Sequence, residues 1–294
     1  MKKIINIFML SALFCVNITF AQTKRALLIG ISDYGYVGKP DTWGNIHGAN
    51  DVDLIYPTLK NKGFVITKIC NRTATAKKIR SELKKLISTC KLGDFVYIHF
   101  SGHGQPFEDL DGDEEDGWDE SIIPYDAQMK YIKGRYEGKN HIIDDELNIY
   151  IQNIRRKVGQ KGFVFVVIDA CHAGSFSRGE DEDEEIQYCR GSKTAFTQSG
   201  KEFRPRINAR SNFKISKDND DSHIIILEAC RSYQSNYEIK EHGNYYGPLS
   251  FYLNKTIEST NIFSGLQIVK KVQDLMGNDH RLVRQNMVYE TSIK

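Results

Sequence analysis

The chain has 294 residues, 40% of them hydrophobic and 27% charged, with six Pro and an aromatic fraction of 11%. That composition is ordinary for a globular protein and excludes a disordered, collagen-like or linker-dominated chain, and the length suffices for one large domain or two small ones. Lys plus Arg number 40 against 38 Asp plus Glu, a net charge of +2, so the balance does not point to nucleic acid as a partner.

In chain order, Lys2 and Lys3 precede an apolar stretch from Ile4 to Phe14, and a polar run then leads to Gln22. With the small residues Thr19 and Ala21 before the cut, this predicts a signal peptide over residues 1–21 and an exported protein, periplasmic or extracellular. The apolar stretch is too short to span a membrane, and no later one is longer, so no integral span is expected. Cys15 suggests a lipoprotein site, but Phe14 is bulky where a small residue belongs. Cys70, Cys90, Cys171, Cys189 and Cys230 remain after such a cut. An odd number leaves at least one thiol free or paired outside the chain, and so sparse a set is no disulfide scaffold. Most are expected to be small buried hydrophobes.

Short apolar runs then alternate with helical patterns. Strands are predicted at Arg25–Ile31, Phe64–Ile69, Phe95–Phe100, Phe163–Ala170 and Ile224–Ala229, each apolar enough to be buried on both faces. Helices are predicted at Asp51–Leu59, after the N-cap Thr75 with Ile79, Leu83, Leu86 and Ile87 on one face, and at Asp145–Val158, Pro248–Ile257 and Leu266–Met276. Doubly buried strands alternating with helices give an α/β protein with a mostly parallel sheet. Two segments break the rhythm. Residues 109–120 are acidic and punctuated by Gly. Residues 176–221 lack apolar periodicity and carry an acidic cluster, then Arg190, Lys193, Lys201, Arg204, Arg206, Arg210, Lys214 and Lys217. A long segment of that kind inside a domain is usually functional or disordered, and prone to nicking.

Two predicted strand ends carry reactive side chains. One runs into Ser101-Gly102-His103-Gly104, the other into Asp169-Ala170-Cys171-His172-Ala173-Gly174. Ligands of open α/β sheets bind outside the carboxyl ends of the strands. A thiol is only a few per cent ionised at neutral pH, so a catalytic Cys needs a base nearby, and an imidazole can take its proton and later pass it to the leaving amine. The amides of Gly104 and Cys171, where the chain turns out of its strands, are candidate oxyanion donors. The pair of strand ends outweighs the bland reading of either residue as a core side chain.

In these motifs the chain resembles the metacaspases among the caspase-like cysteine peptidases. Asn50-Asp51-Val52, Asp111-Gly112-Asp113-Glu114 through Asp116-Gly117-Trp118-Asp119-Glu120, Ile143 to Leu147, Glu228-Ala229-Cys230 with Gln234 and Glu238, Gly247-Pro248-Leu249-Ser250, and Gln285 to Tyr289 are similar to the family's successive segments. The resemblance runs over roughly residues 24 to 291 and implies a caspase-like three-layer α/β/α sandwich. It divides the chain into a signal peptide (1–21), a large-subunit part (22–175), an inter-subunit loop open to self-processing (176–221) and a small-subunit part (222–294). Cys171 would be the nucleophile and His103 the base, with His172 structural. A strict caspase is disfavoured, because D-A-C-H-A-G replaces Q-A-C-[RQG]-G and the His lies further upstream than about 50 residues.

The resemblance also implies that Asp51 and Asp169 line the specificity pocket, which favours Arg or Lys at the cleaved position, since a buried charge needs a partner. The alternative for Asp51 is an acid interacting with a helix N-terminus. Calcium is implied through Asp119, Asp144 and Asp145, as carboxylates are the hard donors it takes; a further ligand after the nucleophile is replaced by Arg178, with Glu180 or Asp181 as substitutes. An EF-hand is excluded, because Gly112 falls too early and no helix pair frames the loop. The reading is an exported, calcium-stimulated, self-processing cysteine endopeptidase, a monomer acting on polypeptides. The alternatives are a caspase-fold thiol peptidase of other specificity, a peptide-binding pseudoenzyme, and a calcium-binding structural protein.

Overall fold

The computed structural model describes residues 22–35, 41–171, 188–192, 194–204, 213, 215, 218–260 and 265–293. The expected signal peptide lies outside these residues, as do His172, Arg178, Glu180 and Asp181. The first half of the chain forms β1 (Lys24–Gly30), α1 (Gly48–Asn61), β2 (Phe64–Cys70), α2 (Ala76–Thr89), β3 (Phe95–Ser101), β4 (Gly104–Glu108), β5 (Trp118–Ile122), β6 (Ile142–Ile143) and α3 (Asp144–Val158). The second half forms β7 (Phe163–Asp169), β8 (His223–Glu228), β9 (Ile239–Glu241), β10 (Asn244–Tyr246), α4 (Pro248–Ser259), α5 (Leu266–Gly277) and β11 (Val288–Thr291).

Six strands make the central sheet in the order β11-β8-β7-β3-β1-β2, all parallel except β11, which runs antiparallel to β8 at the edge. Successive side chains of a strand point to opposite faces. Leu27, Ile29, Val96, Ile98, Val164 and Val166 accordingly pack on one side with Ile79 and Leu83 of α2 and Ile151 and Ile154 of α3. Leu28, Tyr97, Phe165 and Val167 pack on the other with Val52 and Ile55 of α1, Leu253 of α4 and Val269 of α5. Apolar demand on both faces is why these strands read as continuous hydrophobic runs. The result is the expected three-layer α/β/α sandwich. Thr75 caps α2, its Oγ1 accepting from the Lys78 amide at 3.3 Å.

The short strands were not expected. β4, β5 and β6 form an antiparallel sheet beside the main one, and β9 and β10 form a hairpin. Sequences such as GQPFE and NYY carry no sustained period, so only tertiary pairing defines them. Part of the aperiodic segment after residue 176 also returns to the body. Phe196 is buried against Phe107, ring centroids 4.9 Å apart, and its backbone exchanges hydrogen bonds with Pro106 and Glu108. No disulfide joins any two of Cys70, Cys90, Cys171, Cys189 and Cys230, and all but Cys70 are buried.

Candidate active site

Strands β3 and β7 lie side by side in register, Ser101 opposite Asp169. The chain therefore leaves both strands at the same carboxyl edge, one through Gly102-His103 and the other through Ala170-Cys171. Gly102 has to be small, because a Cβ there would stand 2.7 Å from the Tyr34 hydroxyl. That hydroxyl accepts from the His103 amide at 2.8 Å.

The His103 ring is fully buried between Tyr34 and Trp43, at centroid distances of 4.8 and 5.0 Å. Its Nε2 lies 2.8 Å from the Gly44 carbonyl oxygen. A carbonyl only accepts, so Nε2 carries the hydrogen and Nδ1 is the bare lone pair. Nδ1 has no hydrogen-bond partner. Burial lowers the His103 pKa to about 4, so the ring is neutral near pH 7 and able to take a proton. The Cys171 thiol is buried and donates to the Gln234 carbonyl at 2.9 Å. Cys230 directs its thiol to the same carbonyl at 3.4 Å. The neighbouring Cys171 thiol, together with burial, pushes the Cys230 thiol well above its usual pKa, so Cys230 does not compete as a thiolate.

Asp51 and Asp169, the two acids expected to line a specificity pocket, come together around the chain's own Arg190. Its Nη1 lies 2.6 Å from Asp51 Oδ2 and 3.4 Å from Asp169 Oδ1, and its Nη2 lies 2.9 Å from Glu238 Oε1. All four side chains are wholly buried. Nη1 also donates to Ser101 Oγ at 2.6 Å, and Ser101 Oγ donates to Asp51 at 2.5 Å. The Arg190 carbonyl oxygen accepts from the Gly104 amide at 2.9 Å and the Cys171 amide at 3.3 Å. These are the two amides singled out as oxyanion donors.

Asp169 is fixed from several sides. Ser250 Oγ and N donate to its Oδ2 at 2.7 and 2.8 Å, and Asn236 Nδ2 donates to Oδ1 at 2.7 Å. Because Ser250 spends its single hydrogen on Asp169, His99 Nε2, 2.9 Å away, must donate to Ser250. Gly247 closes the pocket: a Cβ there would stand 2.3 Å from both Arg190 Nη1 and Asp169 Oδ2. Burial raises the Asp51 pKa to about 7, against the pull of Arg190. Burial also opposes ionisation of Glu238, but Arg190 and then His47 outweigh it and hold this carboxyl below its usual range. Burial disfavours the charged guanidinium too, yet the carboxylates around it, Asp51 foremost, raise the Arg190 pKa further.

Comparison with known proteins identifies what this arrangement belongs to. Residues 24–178 match the family described as metacaspase, peptidase C14 domain. The chain belongs to the metacaspase family. It is 34% identical over 164 residues to metacaspase-1B of Aspergillus fumigatus, covering 52% of this chain and 36% of that protein. It is 26% identical over 158 residues to metacaspase-1 of Pyricularia oryzae, covering 52% and 37%. The match thus spans little more than a third of the length of these curated metacaspases. A crystal structure of a protein from Geobacter sulfurreducens superposes with a TM-score of 0.57 at 20% identity, over 92% of this chain and 93% of the other, and shares the fold. Membership of the metacaspase family places the chain among the cysteine-type peptidases.

Of the metacaspase-type carboxylates expected to hold calcium, Asp119 and Asp145 bring oxygens within 4.8 Å of each other and of Asp113. Asp144 takes another part: its Oδ1 accepts from the Glu120 amide at 3.1 Å. Asp119 Oδ1 is buried with no hydrogen-bond partner, and burial together with Asp145 pushes its carboxyl up to about 7. Three hard oxygen donors, one of them orphaned and short of positive charge, fit a divalent cation such as calcium.

Several participants escaped the sequence reading. Glu238 was noted only within a motif, yet it is the pocket's third acid. Gly44, which orients His103, acts through a backbone carbonyl, and no side chain advertises that. Ser101 was visible in the SGHG run but carried no charge to draw notice. Arg190 stood among eight basic residues of one segment. Of the others that are described, Lys201 lies over the Trp118 ring and Arg204 pairs with the exposed Glu202.

Proposed function

We propose that the protein is an exported cysteine endopeptidase that cuts after Arg or Lys through His103 and Cys171, and that its first substrate is its own Arg190–Gly191 bond. The observation that carries the reading is the pose of Arg190. Its guanidinium meets three acids while its carbonyl oxygen lies between the two amides that would hold an oxyanion. A resting side chain has no need of both.

The chemistry follows from the atoms named. The Cys171 thiol leaves the Gln234 carbonyl and gives its proton to His103 Nδ1, the free lone pair. The thiolate sulfur attacks the Arg190 carbonyl carbon, and the negative charge that develops on oxygen is held by the Gly104 and Cys171 amides. As the C–N bond to Gly191 breaks, His103 returns the proton to the leaving amine. Water, deprotonated by the same ring, then hydrolyses the thioester. The Gly44 carbonyl keeps Nε2 protonated throughout, so Nδ1 faces the reaction. Calcium bound by Asp113, Asp119 and Asp145 would neutralise the acidic loop that runs into β5, whose Ile122 pairs with Gly104. Loss of activity in chelator is expected on that account.

Intact-mass measurement of the full chain, incubated with calcium or chelator, tests the reading. A new N-terminus at Gly191 is expected, and cleavage confined to other basic residues would refute the assignment. A pH series adds a second check. The ionised form of Asp51 holds a guanidinium, and its pKa is raised to about 7. Cleavage of Arg peptides should therefore rise as pH climbs through 7 and fall about tenfold per unit well below it. His103, with its pKa near 4, imposes no limit in that range. Kcat/KM that is flat between about pH 6 and pH 8 would remove Asp51 from arginine recognition.

A further inference from the structure

The strand that carries Arg190 also shows what sits two residues before that arginine. Cys189 bridges Tyr237 in antiparallel fashion. The Arg190 amide donates to the Asn236 carbonyl at 3.0 Å, and the Glu238 amide donates to the Tyr188 carbonyl at 2.9 Å. Residues 188–190 thus add a short strand to residues 236–238. Extended peptides are read in this way, backbone bonds giving affinity and alternate side chains entering separate pockets.

Tyr188 lies on the same side of that strand as Arg190, and its ring enters a slot that the mechanism does not use. It meets the His47 ring edge-on at a centroid distance of 4.6 Å and the Tyr245 ring at 4.8 Å and 70°. His47 and Tyr245 stack on each other at 5.0 Å and 24°. Neither wall depends on Tyr188 for its position. The His47 amide donates to Glu238 Oε1 at 2.8 Å, and His47 Nδ1 lies 2.5 Å from Glu238 Oε2. Tyr245 belongs to the β9–β10 hairpin, where its carbonyl accepts from Asn50 Nδ2 at 3.1 Å. Glu238 therefore joins this slot to the arginine pocket. Between the two, Cys189 is 2% exposed, so the intervening position has room for a small side chain.

We infer that His47 and Tyr245 form a subsite for an aromatic side chain two residues before the cleaved Arg, so that the enzyme prefers the order aromatic, small, Arg. The inference rests on the function proposed above. Edge-to-face contact favours an aromatic ring over an aliphatic side chain of similar size, because ring edges meet ring faces with complementary charge. Two such contacts correspond to a preference on the order of tenfold.

The test measures kcat/KM of the full-chain protein, with calcium, on fluorogenic peptides acetyl-X-Ala-Arg in which X is Tyr, Phe, Leu or Ala. Tyr and Phe should exceed Leu and Ala by about tenfold. In Tyr245→Ala and in His47→Ala the ratio of Tyr to Ala should fall towards one. In the chain itself, Tyr188→Ala should slow scission after Arg190 by a similar factor. Equal rates for all four peptides, or Leu matching Tyr, would overturn the subsite while leaving cleavage after Arg intact. Unchanged ratios in both wall variants would overturn it as well. No cleavage of any Arg peptide would overturn the proposed function, and the subsite with it.

Discussion

The Cys171→Ala protein is expected to keep its Arg190–Gly191 bond intact and to lose cleavage of Arg peptides by about 10⁴-fold or more, the usual scale for removing a nucleophile. The fold should hardly notice. The change removes one sulfur from a buried site, a loss of about 1 kcal/mol in transfer and cavity terms, and a Tm shift of only a few degrees. Size analysis of the incubated protein beside a thermal melt separates the two effects. A protein that is still cut at Arg190 after the substitution would show that the nucleophile lies elsewhere.

Asp169→Ala is expected to lower kcat/KM on Arg peptides by about 10² to 10³-fold, because a buried guanidinium deprived of one partner carries a penalty of about 3 kcal/mol or more. Asp51 and Glu238 remain, so cleavage should fall rather than vanish. The decisive comparison uses a second panel with Leu or Asp at the cleaved position. Loss confined to Arg and Lys peptides identifies Asp169 as part of the arginine pocket. An equal loss across the panel would mean that the substitution acts by releasing Ser250 and Asn236, which Asp169 now holds.

The same acids bear on how the chain holds itself before any cut. Asp51, Asp169 and Glu238 gathered without a cation would be three carboxylates in a site sealed from water, a costly arrangement. Arg190 supplies the missing positive charge from the segment that scission would release. On the proposed function, the Arg190 side chain plugs the pocket until its own bond is cut.

Much of the architecture was readable along the chain. Val164 to Ile168 could only be a strand buried on both sides, and Ile79, Leu83 and Leu86 could only face one way from a helix. His103 and Cys171 followed, because each ends such a strand and function collects at that edge. Asp51 was readable only by resemblance, since alone it looks like an acid at a helix N-terminus. β4, β6 and the β9–β10 hairpin were not readable, because two to five residues without a period take their structure from the strand they meet.

By itself, then, the sequence determined an α/β protein with a mostly parallel sheet and the strand ends that carry His103 and Cys171, while the layering and the pairing of Asp51 with Asp169 were legible only through the resemblance. Hydrophobic periodicity and strand termini are local properties, and a chain displays them one segment at a time. Tertiary structure alone decided that Arg190, rather than its neighbours in the same segment, enters the pocket, that Glu238 arrives as its third acid, that Gly44 orients the base, and that Asp113 rather than Asp144 joins Asp119 and Asp145. Each of these depends on the register between segments far apart in sequence, and register is set by the packing of the whole chain.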